Sequence, residues 1–278
     1  MKKITKLLVL VMSLALIIGI SAVVAFADGV TDPATPSTVA ADGNLFKVVY
    51  GSTEKYYDSS AKLSTVISEA TAGSTIYLLR DYTEVTDRYE NPSKAGEYIA
   101  TSIKVNKKLT FDLGGHTLTV EQHAKNCGFY ISTTSPVVFK NGTVATVAHA
   151  DYNTAGNTFP FAFINAKGAN LAFENVNSNV SSIVYSWGNN YTVTVNGGIH
   201  FLNSASSDMN TSGFIAGQNN TNATITNATI YSYGRYVVGS SSYKAVEGGL
   251  TPSSTFKFEN CNIIASSAST SIVGNANQ

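Results

Sequence analysis

The chain has 278 residues, enough for one elongated domain or two small ones. Charged residues make up 13% of it, against roughly 25% in an ordinary globular chain. Lys+Arg and Asp+Glu balance at 18 each, which leaves no basic surplus for nucleic acid, and Ser, Thr, Asn and Gly favour strands and tight turns over helices.

Residues 1–27 read as a signal peptide, with Lys2, Lys3 and Lys6 ahead of an apolar run from Leu7 to Ile20 and an Ala25-Phe26-Ala27 cleavage site. A retained anchor is the competing reading, because Leu7 to Ala27 is long enough to span a bilayer. The small residues and the cleavage site favour removal. The expected location is therefore secreted or cell-surface, in a bacterial setting, with no membrane contact after processing. No Cys stands directly after the cleavage site, which argues against a lipoprotein, and no sortase-type signal is seen. Residues 28–43 (DGVTDPATPSTVAADG) read as a flexible linker.

Residues 44–99 read as an N-terminal cap. Leu45 to Tyr50 is a strand, Gly51-Ser52 a turn, and Tyr56-Tyr57 part of a return strand. Leu63, Val66, Ile67 and Ala70 repeat at helical spacing, with Ser60 or Ser64 as cap and Gly73 as terminator. This helix is expected to cover the N-terminal end of a stack of strands. Ser74 to Leu79 is a strand, and residues 81–98 are expected to be a charged surface loop.

From residue 100 a repeat takes over. Thr110-Phe111-Asp112-Leu113, Val137-Val138-Phe139-Lys140-Asn141, Leu171-Ala172-Phe173-Glu174-Asn175, Val193-Thr194-Val195-Asn196-Gly197, Ala223-Thr224-Ile225-Thr226-Asn227 and Phe256-Lys257-Phe258-Glu259-Asn260 superpose. Their second apolar anchors, taken as Leu113, Phe139, Phe173, Val195, Ile225 and Phe258, are separated by 26, 34, 22, 30 and 33 residues. A further apolar residue often follows, at Leu118, Val144, Ile230 and Ile263. A second element precedes each segment, such as Phe129-Tyr130-Ile131 or Ser182-Ile183-Val184-Tyr185. A fixed core with a variable period describes one coil of a solenoid plus insertions. One rung cannot bury its apolar face, so rungs must stack. Asn141, Asn175, Asn227 and Asn260, with Gly115 and Gly197, mark a corner in the left-handed backbone region, where Asn amides are expected to form a ladder.

These segments resemble the right-handed parallel β-helix proteins of the pectate-lyase-like superfamily. LSTVISEATAGSTIYLLRDYTE is similar to the N-terminal helix and first strand of many such bacterial proteins, and TFDLGGHTLTV to their first full rung. The resemblance covers residues 45–278. It implies an all-β, right-handed parallel β-helix of about six rungs with a short N-terminal capping helix. It leaves function open, since the superfamily includes lyases, hydrolases, epimerases and adhesins. An incomplete rung begins at Ser271-Ile272-Val273-Gly274, so truncation, or pairing of that end with further chain or a partner, is expected.

The family's lyases use clustered carboxylates with a basic residue. Here the outward column reads Gly114, Lys140, Glu174, Asn196, Thr226 and Glu259, with Lys140 and Glu174 as an expected cross-rung ion pair and Asp112 isolated in another column. Asp151 and Asp208 fall in loops. His116, His123, His149 and His200 show no metal-ligand spacing, and Cys127 and Cys261 are expected as two buried free thiols. No catalytic residue, metal or cofactor is assigned. The aromatics are the better signal. Trp187, Tyr191, Tyr231 and Tyr233, with Arg235, are the expected substrate-binding residues, as a stacking platform for sugar rings. The expected function is a secreted or surface binding scaffold, adhesin-like, with a polysaccharide or cell-surface glycan as partner. The alternatives are a polysaccharide lyase or glycoside hydrolase acting on an acidic polysaccharide, and a structural spacer.

Overall fold

The computed structural model describes residues 43–95, 98–124, 128–150, 162–166, 168–186, 191–202, 213–217, 221–232, 236–240, 255–265 and 271–275. The expected signal peptide, most of the expected linker and Cys127 lie outside these. A hairpin of β1 (Asn44–Tyr50) and β2 (Thr53–Asp58) leads into α1 (Leu63–Glu69), whose buried residues are Leu63, Val66 and Ile67. Next come β3 (Thr75–Leu78), β4 (Tyr82–Val85) and a small antiparallel pair of β5 (Arg88–Glu90) with β6 (Tyr98–Ala100).

The remaining strands wind as a parallel β-helix. Successive coils are β7 (Ile103–Val105), β8 (Leu109–Asp112) and β9 (Thr117–Gln122); then β10 (Phe129–Ile131) and β11 (Pro136–Ala148); then β12 (Ala162–Ala166) and β13 (Asn170–Val180). They continue with β14 (Ser182–Ser186), β15 (Tyr191–Asn196) and β16 (Ile199–Leu202); then β17 (Ile215–Gly217), β18 (Thr221–Thr226) and β19 (Thr229–Ser232). The last described coil strands are β20 (Tyr236–Ser240), β21 (Thr255–Glu259), β22 (Asn262–Ala265) and β23 (Ser271–Asn275).

Three faces result. The first runs β3-β8-β11-β13-β15-β18-β21, and the second runs β4-β9-β11-β13-β16-β19-β22, because β11 and β13 continue round the corner between them. The third runs β7-β10-β12-β14-β17-β20-β23. Every contact between coils is parallel and in register, so side chains stack in columns. The column Ile76, Phe111, Phe139, Phe173, Val195, Ile225, Phe258 points inward on the first face. Phe111 and Phe139 stack at 4.6 Å, Phe139 and Phe173 at 5.7 Å, and Phe129 packs edge-on against Phe139 at 5.3 Å. These rings add directional aromatic attraction to the apolar area they bury.

The parallel stack begins at β3 and β4, one turn earlier than the repeat suggests. Residues 82–85 are therefore a strand of the second face and not loop. The cap of α1 also differs. Lys62 stands at the N-cap without a side-chain bond, and the Glu84 carboxylate accepts from the Leu63 amide at 3.0 Å and from the Ser64 amide at 3.4 Å. Glu84 is only 3% exposed, and Tyr82 also donates its hydroxyl to it.

The corner between the first and second faces holds the expected left-handed residues. Asn141, Asn175, Asn227 and Asn260 have φ between 53° and 58°. Asn260 donates to Asn227 at 3.3 Å, while Asn227 donates to Asn196 at 3.0 Å and Asn141 to Asp112 at 3.2 Å. The ladder thus partly steps back onto the residue before the corner. In the first full coil this corner is two residues longer. Asp112 pairs with Lys140 and Thr117 with Thr143, so Leu113-Gly114-Gly115-His116 stands where Asn141-Gly142 stands in the next coil. The anchor partner of Phe139 is consequently Phe111, which corrects the assignment of Leu113. The longer corner is accommodated because Gly142 has no side chain. A Cβ there would lie 2.4 Å from the Leu113 Cβ and 2.6 Å from the His116 carbonyl oxygen.

Candidate functional site

The connections around the solenoid are unequal. The corner between first and second faces is tight in every coil, whereas the longer connections all border the third face. Trp187 lies in the connection from Ser186 to Tyr191, and Tyr233 and Arg235 in that from Ser232 to Tyr236; these three expected binding residues lie outside the described residues. The outward column of the third face reads Lys104, Tyr130, Asn165, Tyr185, Ala216. Ala162, Tyr185 and Ala216 form a small buried cluster separate from the main core.

Of the remaining expected residues, Tyr191 begins β15 with its side chain buried in the main core. A ring packed there offers no face to an external ligand. Tyr231 does point outward, on the second face. Its column reads Thr119, Ala145, Asn179, Phe201, Tyr231, Ile264, and the column beside it reads Thr117, Thr143, Asn177 on the early coils and Ile199, Thr229, Asn262 on the later ones. Phe201 and Tyr231 stack with centroids 4.7 Å apart and planes 10° apart. Ile199 is 41% exposed and Ile264 is 45% exposed. The later coils therefore carry an apolar and aromatic patch on a flat sheet, continued by Asn and Thr on the earlier coils. Because the two rings stack across coils, they present edges to solvent and cover one face of each other. An open stacking platform is not what this pair makes. Phe201 was absent from the expected set; its place one coil before Tyr231 was the signal that names it.

The register correction changes the first face. The outward column is Tyr77, Asp112, Lys140, Glu174, Asn196, Thr226, Glu259, so Asp112 joins Lys140 and Glu174. Lys140 pairs with Asp112 at 3.3 Å, not with Glu174 as expected. The other Asp112 oxygen accepts from the Gly114 amide and the Asn141 amide, each at 3.2 Å. Asp112 thus braces the long corner.

Two histidines have evident roles. His116 faces Asp81 at 3.6 Å. His200 is fully buried, with Ser178 donating to its Nδ1 at 2.9 Å and its Nε2 donating to the Gly197 carbonyl at 3.2 Å. Burial pushes its pKa down to about 4, so it is neutral at pH 7. Cys261 is half-buried against the core and not fully enclosed as expected. Near α1, an open cleft of about 400 Å³ is lined by residues that include Lys62, Glu84, Asp87, Arg88 and His123.

Among the described residues no three His, Cys, Asp or Glu side chains converge as a ready metal site, and no helix is long and apolar enough to cross a membrane. Comparison with protein-family models, curated proteins and solved structures gave no match.

Proposed function

We propose that this chain is an exported, surface-associated β-helix binding scaffold, allied to the pectate-lyase-like superfamily, and that its ligand is a cell-surface or extracellular glycan. One observation carries the reading: the patch of exposed Ile199 and Ile264 with half-buried Phe201 and Tyr231, continued along the same face by Asn177, Asn179 and Thr columns. Exposed apolar patches rimmed by polar groups mark contact surfaces. A glycan is the matching ligand, since it joins apolar C–H faces to a dense array of hydroxyls. The two columns carry the patch and its polar continuation along the axis, which suits an extended chain.

A lyase or hydrolase acting on an acidic polysaccharide is the second reading. It rests on Asp112, Lys140 and Glu174 lying on adjacent strands. The three bonds already made by Asp112 favour a structural duty for it. A glycan array run beside turnover assays on polyuronates separates the readings. Binding without turnover, weakened tenfold or more in F201A/Y231A, is expected. Turnover abolished by K140A supports the enzyme instead, and silence on both assays sinks the glycan reading.

A further inference from the structure

The stack of coils ends differently on each of its three faces at the N-terminal end. On the first face the hairpin of β1 and β2 continues the sheet, and its outer strand carries Glu54, Lys55 and Asp58, charges of the kind that guard an edge. On the third face α1 packs against β7, and Lys107 Nζ donates to the Ser68 and Ala70 carbonyls of that helix and its C-cap at 3.0 and 2.8 Å. On the second face β4 pairs with β9, and among the described residues no strand takes its other side. The Thr86 amide donates to the Glu121 carbonyl at 2.9 Å, which fixes the phase of the β4–β9 ladder. Alternate residues of a strand bond to a given neighbour. Tyr82, Glu84 and Thr86 therefore face β9, and Thr83 and Val85 turn their N–H and C=O groups the other way. Both line the cleft near α1. His123 forms part of the same lining; its ring stacks on His149 with centroids 3.9 Å apart, and its Nδ1 lies 2.5 Å from the Thr86 carbonyl oxygen.

We propose that the open edge of β4 is a docking site for an extended, uncharged segment of a partner protein, which adds as one more strand of the second face. Thr83 and Val85 each offer one backbone donor and one acceptor, repeated every two residues, about 6.6 Å along the strand. Another extended main chain presents its own groups at that spacing, and addition to an exposed sheet edge is how such segments are bound. The charges around the edge say what the segment carries. Lys62 pairs with Asp87 at 2.6 Å, Glu84 accepts from the first α1 amides, and Arg88 lies over the Tyr98 ring at 4.5 Å. The two acids and two bases balance and are already committed within the fold, so the complement is a neutral chain. Val85 is 39% exposed, and Val147 in the same outward column is 43% exposed. Cross-strand packing on these side chains favours Thr and Val in the added strand. The cleft of about 400 Å³ beside the edge gives it room.

The test titrates a capped, uncharged hexapeptide of alternating Thr and Val into the untagged full chain and follows hydrogen exchange. Saturable binding is expected, with exchange slowed at least tenfold at the Thr83 and Val85 amides and unchanged at Glu84, whose amide already serves β9. V85P removes an edge-facing donor and leaves the β9 ladder whole, since proline is tolerated on an open edge. It should weaken the peptide tenfold or more, and V85I should not. Methylation of alternate peptide nitrogens should abolish binding. The exchange pattern is read on the parent chain, so it stands even if V85P misfolds. No saturable binding, slowing at amides away from β4, or equal affinity in V85P overturns the proposal. A dimer in sedimentation that V85P dissociates overturns it too, because a second copy then holds the edge. β4 and the patch on β16, β19 and β22 occupy opposite ends of the second face, so failure here leaves the glycan reading untouched.

Discussion

His200 occupies a column whose other inward members include Leu118, Val144, Ile230 and Ile263. Its protonation should therefore be felt by the whole fold. In the unfolded chain the imidazole takes a proton near 6.5; in the folded chain it does so only near 4, because burial disfavours the cation. Between those values the unfolded state binds the extra proton. Stability should fall as pH drops from 6.5 and level off below 4, a loss approaching about 3 kcal/mol. Urea midpoints measured from pH 7 to pH 4 check this. The H200L/S178A variant, which removes both polar partners, should lose that part of the pH dependence; an unchanged profile would exclude His200 as its source. The same residue shows what single positions disclose. The Phe and Asn columns were legible because an alternating apolar residue and a left-handed corner residue each have a chemical signature of their own. Inward polar residues such as Ser178, His200 and Gln122 have none, since only a partner in another coil makes them acceptable.

At the scale of elements, α1 was legible from Leu63, Val66 and Ile67, but its cap was not. The capping carboxylate is Glu84, which lies 21 residues from the Leu63 amide it accepts from. The same inward Glu breaks the apolar alternation of β4 and made that strand read as loop. Burial and the Glu84 carboxylate raise the pKa of Tyr82, so its hydroxyl stays protonated and keeps donating. Replacing Glu84 with Ala leaves the first α1 amides and the Tyr82 hydroxyl without their acceptor. A cost of about 1–3 kcal/mol is expected. Hydrogen exchange at Leu63 and Ser64 should accelerate well before exchange in β11 or β13. Uniform acceleration throughout the chain would show instead that α1 and the coils unfold as one unit. His123 and His149 teach a related lesson. Read as scattered positions they carry no message, but read against the coil period they are neighbours.

For the whole molecule, the distribution of insertions separates architecture from recognition. A solenoid tolerates length changes where a connection projects into solvent and resists them where coils press on one another. The corner between the first and second faces is the resisting one, yet the first full coil carries two extra residues there. Its tolerance comes from the next coil, where Gly142 leaves room for Leu113 and His116. This coupling explains why the repeat spacing holds after that corner and is offset by two residues before it. It also makes a prediction. Two glycines inserted between Asn227 and Ala228 should press on Cys261, the residue of the following coil that corresponds to Gly142. Overpacking of this kind costs about 1–3 kcal/mol. The same insertion combined with C261G should regain most of that loss in thermal unfolding, because the added backbone then finds the space that Gly142 provides one corner earlier. Two glycines inserted between Ser232 and Tyr236, a connection bordering the third face, should cost much less. Simple additivity of the corner insertion and C261G would reject the coupling, since independent sites add and touching ones do not.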